Sequence, residues 1–193
     1  MTSSLSTGHN HSFFNSTGGL RGFKRSLYEG GVRSPSMVVG PGVRPGTRSN
    51  VPWAFWDLLP TFAELAGATD KIGGSIDGIS FAKQMLSDRV GVPPLRNWTG
   101  YWTWGDGPTH TKGYTVRRDD YKGVVVNCTH FYDAQSEYAK RPSPDDVWSL
   151  YDLRTDPFET KDIASAHVEV VDALKEWVLR GNFTCACYQC GYG

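Results

Sequence analysis

The sequence predicts an α/β to α+β fold, and three patterns predict it. Aromatic-rich alternation recurs at residues 98–104, 113–117, 121–127 and 148–153, the two-residue period of strands with one buried face. A later stretch, 166–179, carries Val168, Val171, Leu174, Trp177 and Val178 as an apolar stripe at helical spacing, suited to cover such a sheet. Upstream, a short apolar run at 36–39 and a helical pattern at 58–66 mark a strand and a helix of a separate region.

Each element has its local reason. Residues 1–35 are rich in Gly and Ser and read as loop. After the 36–39 strand, residues 40–46 hold two prolines and three glycines and form a turn. Asp57 is a suitable N-cap for the 58–66 helix, and Pro60 is tolerated in its first turn. Leu58, Leu59, Phe62 and Leu65 share one face, and Gly67 stops the helix. A short helix is expected at 81–86, and Gly91-Val-Pro93-Pro94 reads as a linker, which divides the chain into 1–90 and 91–193. Arg118-Asp119-Asp120 between two strand patterns is a hairpin turn.

Composition narrows the function classes. The chain has 193 residues with 20 acidic and 20 basic side chains, so it can bury a core and has no blanket attraction to nucleic acid or membranes. No window of about 18 apolar residues predicts a membrane span, and the first residues lack the basic and apolar regions of a signal peptide. Five of six asparagines, Asn10, Asn15, Asn97, Asn127 and Asn182, open an N-x-S/T sequon. With 31 Ser and Thr in the chain, chance would supply about one. This enrichment predicts glycosylation in the secretory pathway, at Asn97, Asn127 and Asn182 first. A glycosylated chain without a signal peptide is expected to be incomplete at its N-terminus.

Cysteine usage agrees with that compartment. Cys185, Cys187 and Cys190 cluster near the C-terminus and Cys128 stands alone, enough for two disulfides with three possible pairings, of which Cys128 to the tail is the economical one. The alternative is a zinc site with Cys128 or His130 as the fourth ligand.

The run from Leu20 to Pro35, Leu-Arg-Gly-Phe-Lys-Arg-Ser-Leu-Tyr-Glu-Gly-Gly-Val-Arg-Ser-Pro, concentrates cations and glycines between polar loops. Gly22, Gly30 and Gly31 permit positive φ and close approach, while Arg21, Lys24, Arg25 and Arg33 offer donors without acceptors, a chemistry suited to a sulfate or phosphate group. His9 and His11 lie in a polar segment near the N-terminus, with a solvated reading beside a metal or acid–base one. Trp98, Tyr101, Trp102 and Trp104 are sheet and core residues by one reading and sugar-stacking residues by another.

This run resembles the L-R-G-x-K-x-x-x-Y-E-G-G-x-R-x-P block of the sulfatase family. Four further blocks follow in that family's order: Pro41-Gly-Val-Arg-Pro45-Gly, Asp57-Leu-Leu-Pro60-Thr-Phe-Ala-Glu64-Leu-Ala-Gly67, Asp77-Gly78-Ile-Ser-Phe81, and Leu150-Tyr151-Asp152-Leu153-Arg-Thr-Asp156-Pro157-Phe-Glu159. The resemblance covers about residues 8–165. It implies the C-terminal part of an alkaline-phosphatase-like sulfatase fold. Residues 1–90 would be the tail end of the α/β catalytic domain, and 91–193 a small subdomain of antiparallel strands and one helix, with a Cys-rich tail.

The resemblance also implies roles. Lys24 matches the lysine that contacts the substrate sulfate, where an ammonium stabilises charge on the sulfuryl oxygens as the ester bond breaks. Arg21 is a second substrate-binding candidate or orders the loop, as does Arg33; His110 and Lys112 lie on a loop expected to border the pocket. The family's C-x-P/A-S-R nucleophile block does not occur here, and its calcium-binding carboxylates are not matched, so calcium in the intact family member would be held by residues this chain lacks. The expected function is therefore sulfuric ester hydrolysis on a sulfated sugar or aryl substrate, in a lysosomal or extracellular setting, with this chain alone inactive. The alternative is a non-catalytic secreted glycoprotein or carbohydrate-binding lobe.

Overall fold

The computed structural model describes residues 11–24, 26–74, 76–86, 98–103, 113–126 and 143–182. Along the chain run helices α1 (His11–Phe14), α2 (Glu29–Val32), α3 (Leu58–Leu65) and α4 (Ala82–Leu86). Strands β1 (Trp98–Thr103), β2 (Gly113–Arg118), β3 (Tyr121–Val126) and β4 (Trp148–Asp152) follow, and helix α5 (Val168–Trp177) comes last. Contacts group these into two compact units, Met1–Ser34 with Trp98–Gly193, and Pro35–Asn97. The linker expected at 91–94 lies outside the described residues.

In the first unit the four strands form one antiparallel sheet in the order β1-β2-β3-β4, at the places the alternation predicts. Asp119 and Asp120 make the β2–β3 turn, where Asp119 takes φ 51°, a left-handed conformation that Asp tolerates. Period-two alternation then sends neighbouring residues to opposite faces. On one face Tyr114, Val116, Val125, Trp148 and Leu150 pack against Val171, Leu174 and Val178. Gly123 makes room for the Trp148 ring, which a Cβ there would meet at 2.6 Å. The stripe of α5 is thus real but narrower than the sequence pattern, since Val168 stays exposed.

The other face carries Lys122, Val124 and Tyr151, with Lys122 directly opposite Tyr151 in the β3–β4 register. Leu27 packs there with Val124 and Tyr151, and Tyr28 joins them. The glycine-rich run therefore folds onto this second face, and residues 29–32, loop by composition, form the short helix α2.

In the second unit the expected 40–46 turn is present, with the Val43 N–H donating to the Gly40 carbonyl at 3.2 Å and Gly42 and Gly46 at positive φ. Residues 36–39 do not form a strand: Met37 is 96% and Val39 98% exposed, and no ladder bonds them among the described residues. An apolar run becomes a strand only where a partner edge supplies its hydrogen bonds.

Asp57 also differs from its expected role. A 3-10 turn, Phe55–Asp57, precedes α3, and the Asp57 side chain does not cap α3. Its Oδ2 accepts the Ala54 N–H at 2.8 Å and its Oδ1 accepts the Ile79 N–H at 2.9 Å. Together with Thr61, whose Oγ1 accepts the Phe81 N–H at 3.0 Å, it ties the 79–81 segment to α3. That face is the buried one, so Leu59 and Phe62, on the apolar face of the sequence pattern, are each 58% exposed.

Candidate functional site

Residues 21–33 form a closed loop whose tip carries Lys24. The Ser26 N–H donates to the Phe23 carbonyl at 2.9 Å, closing a turn with Lys24 inside it, and the Gly30 N–H donates to the Arg21 carbonyl at 2.7 Å, closing the base. Lys24 is exposed at that tip. The glycines are needed for this closure. A Cβ on Gly30 would lie 2.6 Å from the Arg21 oxygen and 2.3 Å from the Gly22 oxygen, and one on Gly31 would lie 2.2 Å from the Ser26 oxygen. Gly22 adopts φ 78°, open to Gly without strain. The close approach that the sequence suggested is made by the loop to itself.

Beneath the loop lies a buried charge cluster that the sequence reading missed. The Lys122 ammonium sits 2.9 Å from Glu29 Oε1 and 2.8 Å from Glu159 Oε1. The Glu29 N–H donates to Glu159 Oε2 at 2.6 Å. Burial pushes the Glu159 carboxyl above the usual carboxylate range; Lys122 and the Glu29 N–H oppose that shift, and the Glu29 carboxylate adds to it. One signal in the sequence could have revealed the cluster. Lys122 is a cation on the same strand face as Val124 and Val126, and such a position demands a buried counter-charge.

Arg21 is committed to the same scaffold. Its Nη1 donates to the Tyr151 hydroxyl at 3.0 Å and to the Glu159 carbonyl at 2.9 Å, and its guanidinium lies 3.7 Å over the Tyr28 ring. Of its two expected roles, loop ordering is the one with visible partners. Burial raises the Tyr28 hydroxyl, with Arg21 opposing and Tyr151 and Glu159 reinforcing the shift.

Glu159 itself is held by the turn that follows β4. Asp156 Oδ2 accepts the Thr160 and Lys161 N–H groups at 2.7 and 2.9 Å. Asp162 Oδ1 accepts the Leu150 N–H at 3.0 Å and the Ala164 N–H at 2.9 Å. Slight burial pushes these two carboxyls up, and the hydrogen bonds outweigh it and hold both below the usual range. Glu159 takes φ 56°, which turns its side chain inward under the loop.

The remaining sequence candidates fall elsewhere. Arg33 is exposed beyond α2. His9, Asn10, Arg25, Asn97, Trp104, His110, Lys112, Asn127, Cys128, His130, Cys185, Cys187 and Cys190 lie outside the described residues. So do the side chains of His11, Trp98, Tyr101, Trp102 and Asn182. Asn15 is exposed, in a turn closed by the Gly18 N–H on its carbonyl at 2.9 Å. Among the described residues no three His, Cys, Asp or Glu side chains converge on a metal position. Also among them, no helix is long and apolar enough to cross a membrane.

No family model matches the chain. It is 32% identical over 177 residues to arylsulfatase A of Homo sapiens, an alignment covering 83% of this chain and 32% of that protein. To N-acetylgalactosamine-6-sulfatase of Sus scrofa it is 28% identical over 170 residues, covering 81% of this chain and 31% of that one. Among solved structures, a sulfatase of glycosaminoglycan metabolism in Bacteroides thetaiotaomicron superposes with a TM-score of 0.63 at 23% identity, over 84% of this chain and 32% of that chain. The chain thus spans about a third of the length of the relatives it matches. The small sheet with its covering helix is accordingly part of an alkaline-phosphatase-like sulfatase fold. Named sulfatases thus align across four-fifths of this chain, whose glycine-rich block is folded as one closed loop, and the chain is similar to about a third of each of them.

Proposed function

We propose that this chain is the part of a sulfuric ester hydrolase that presents Lys24 to the sulfate group of a sulfated sugar or aryl substrate. The observation that carries the reading is the placement of Lys24, solvent-facing at the tip of a loop whose base is bonded to itself, to the sheet and to the turn after β4. A mobile lysine would spend side-chain and backbone entropy on each binding event, whereas a held one offers its charge where the sulfuryl oxygens become more negative. The nucleophile and the calcium ligands are supplied by residues outside this chain. In this reading His110 and Lys112 are further substrate-binding residues, and Arg21 acts on substrate only through the loop it orders.

The secretory setting rests on the sequons and cysteines. Expression through a eukaryotic secretory route should yield a chain that loses mass on treatment with a peptide N-glycanase and shows no free thiol among Cys128, Cys185, Cys187 and Cys190. Four free thiols and no glycan would place the chain elsewhere.

The test of Lys24 is direct. Inorganic sulfate and a sulfated hexosamine, titrated into isotopically labelled chain, should shift the Lys24 side-chain resonances. Lys24→Ala should weaken that binding about tenfold, the worth of one charge-assisted contact. An unsulfated hexosamine should bind no better to the wild type than to the variant. Equal sulfate affinity in Lys24→Ala would remove Lys24 from the site, and tighter binding of the unsulfated sugar would favour a carbohydrate-binding lobe.

A further inference from the structure

We infer that Glu159, with Lys122 and Glu29, is the positioning device for Lys24, an inference that rests on the proposed contact between Lys24 and sulfate. The geometry converges on one residue. The Lys24 loop has two chain segments at its base, one leaving from Arg21 and one returning to Glu29 and Gly30. Glu159 holds both: its carbonyl accepts from Arg21 Nη1 at 2.9 Å, and its Oε2 accepts from the Glu29 N–H at 2.6 Å. Its other carboxylate oxygen meets Lys122, which in turn grips the Glu29 side chain. The backbone and the side chain of Glu29 are therefore fixed by the same anchor.

Burial makes this arrangement specific. Lys122 and Glu159 side chains are 0% exposed and Glu29 6%, so no water competes for these bonds, and one ammonium between two carboxylates admits few alternative geometries. An apolar trio of similar volume would stabilise the sheet face comparably. What the apolar trio would lose is the register of the loop, because greasy contacts do not fix which backbone N–H meets which acceptor. Tension at Glu159 supports the same view. A non-glycine residue at φ 56° is costly, and such conformations persist where the surroundings require them.

Amide hydrogen exchange on the full chain tests this without any ligand. In Glu159→Leu, exchange at Ser26, Glu29 and Gly30 should rise at least about tenfold more than at the β3 and β4 amides, the mark of local rather than global opening. Glu159→Gln keeps an oxygen for the Glu29 N–H and should stay within about threefold of wild type at the same amides. Should Glu159→Leu fail to fold, Glu29→Gln, which cuts the side-chain tie and keeps the backbone one, should give an intermediate loop-selective rise. Sulfate affinity should follow the loop, weakened in Glu159→Leu and rescued in Glu159→Gln. Loop and sheet amides speeding up together, or Leu and Gln variants behaving alike, would overturn the positioning role. A loop-selective rise with sulfate binding indifferent to Lys24→Ala would instead retain the latch and remove the sulfate contact.

Discussion

Lys122 is the residue at which the chemistry of the sheet and that of the loop meet. Its ammonium has been taken out of water entirely, a cost of several kcal/mol that, among the described residues, the Glu29 and Glu159 carboxylates offset. Lys122→Met should therefore destabilise the chain by about 3–5 kcal/mol in denaturant titrations, since two carboxylates would be left facing each other in a dry site. Adding Glu29→Gln and Glu159→Gln to that variant should recover most of the loss, because neutral amides need no counter-charge. Protonation gives a second prediction at this scale. The Glu159 carboxyl is raised in the folded state, so its contribution is fully present below the ordinary carboxylate value and is lost as pH rises through its raised value. Asp156 and Asp162 are lowered, so theirs is present above that range and lost as pH falls through their depressed values. Wild-type stability should fall on both sides. Glu159→Gln should remove the decline on the upper side and Asp156→Asn part of the one on the lower, which Asp152 and Asp162 share, as read from melting temperature against pH.

At the scale of elements, the Lys24 loop and helix α5 illustrate two ways of specifying structure. In the loop, Gly30 and Gly31 sit where a Cβ would press on backbone oxygens at 2.2 to 2.6 Å. Backbone cannot step aside as a side chain can, so Gly30→Ala or Gly31→Ala should cost at least about 1–3 kcal/mol. Their loop amides should exchange faster than the sheet's. In α5 the specification is packing: Leu174, fully buried against Gly123 and the sheet core, should cost about 2–5 kcal/mol as Leu174→Ala. Val168→Ala, on the exposed flank of the same helix, should stay within about 0.5 kcal/mol. The sheet, its hairpin turn and α5 were legible in the sequence because each follows a local period or a local turn chemistry. What was not legible depended on distant partners. Residues 36–39 have strand composition but no ladder, Asp57 looks like a cap until Ile79 arrives to use its carboxylate, and the Lys122 cluster joins three residues whose separation no period reveals. Lys24 is a candidate through the block it belongs to, and what anchors its loop, Lys122 and Glu159, lies outside that block.

For the molecule as a whole, what matters is the surface presented by a chain that spans about a third of its relatives' length. Phe55, Leu59, Phe62 and Leu65 are exposed on and beside α3, and Met37 and Val39 are exposed in the segment before it. Scattered apolar side chains are ordinary on protein surfaces, but a helix whose apolar stripe faces outward while Asp57, Pro60 and Thr61 face inward inverts the usual arrangement. The inversion has a physical cause on the inward side. Asp57 and Thr61 spend their hydrogen bonds on the 79–81 segment, and that network, together with the Trp53–Phe81 stack at 4.7 Å, fixes which face of α3 turns in. The stripe contributes little to the stability of the chain as it stands, and it should be sticky. The double variant Leu59→Gln, Phe62→Gln should therefore keep its denaturation midpoint within the shift expected of about 0.5 kcal/mol per surface substitution, while binding far less of a hydrophobic dye such as ANS and staying soluble at higher concentration. A loss of several kcal/mol would mean that these side chains are packed rather than displayed, and that α3 turns its other face to water.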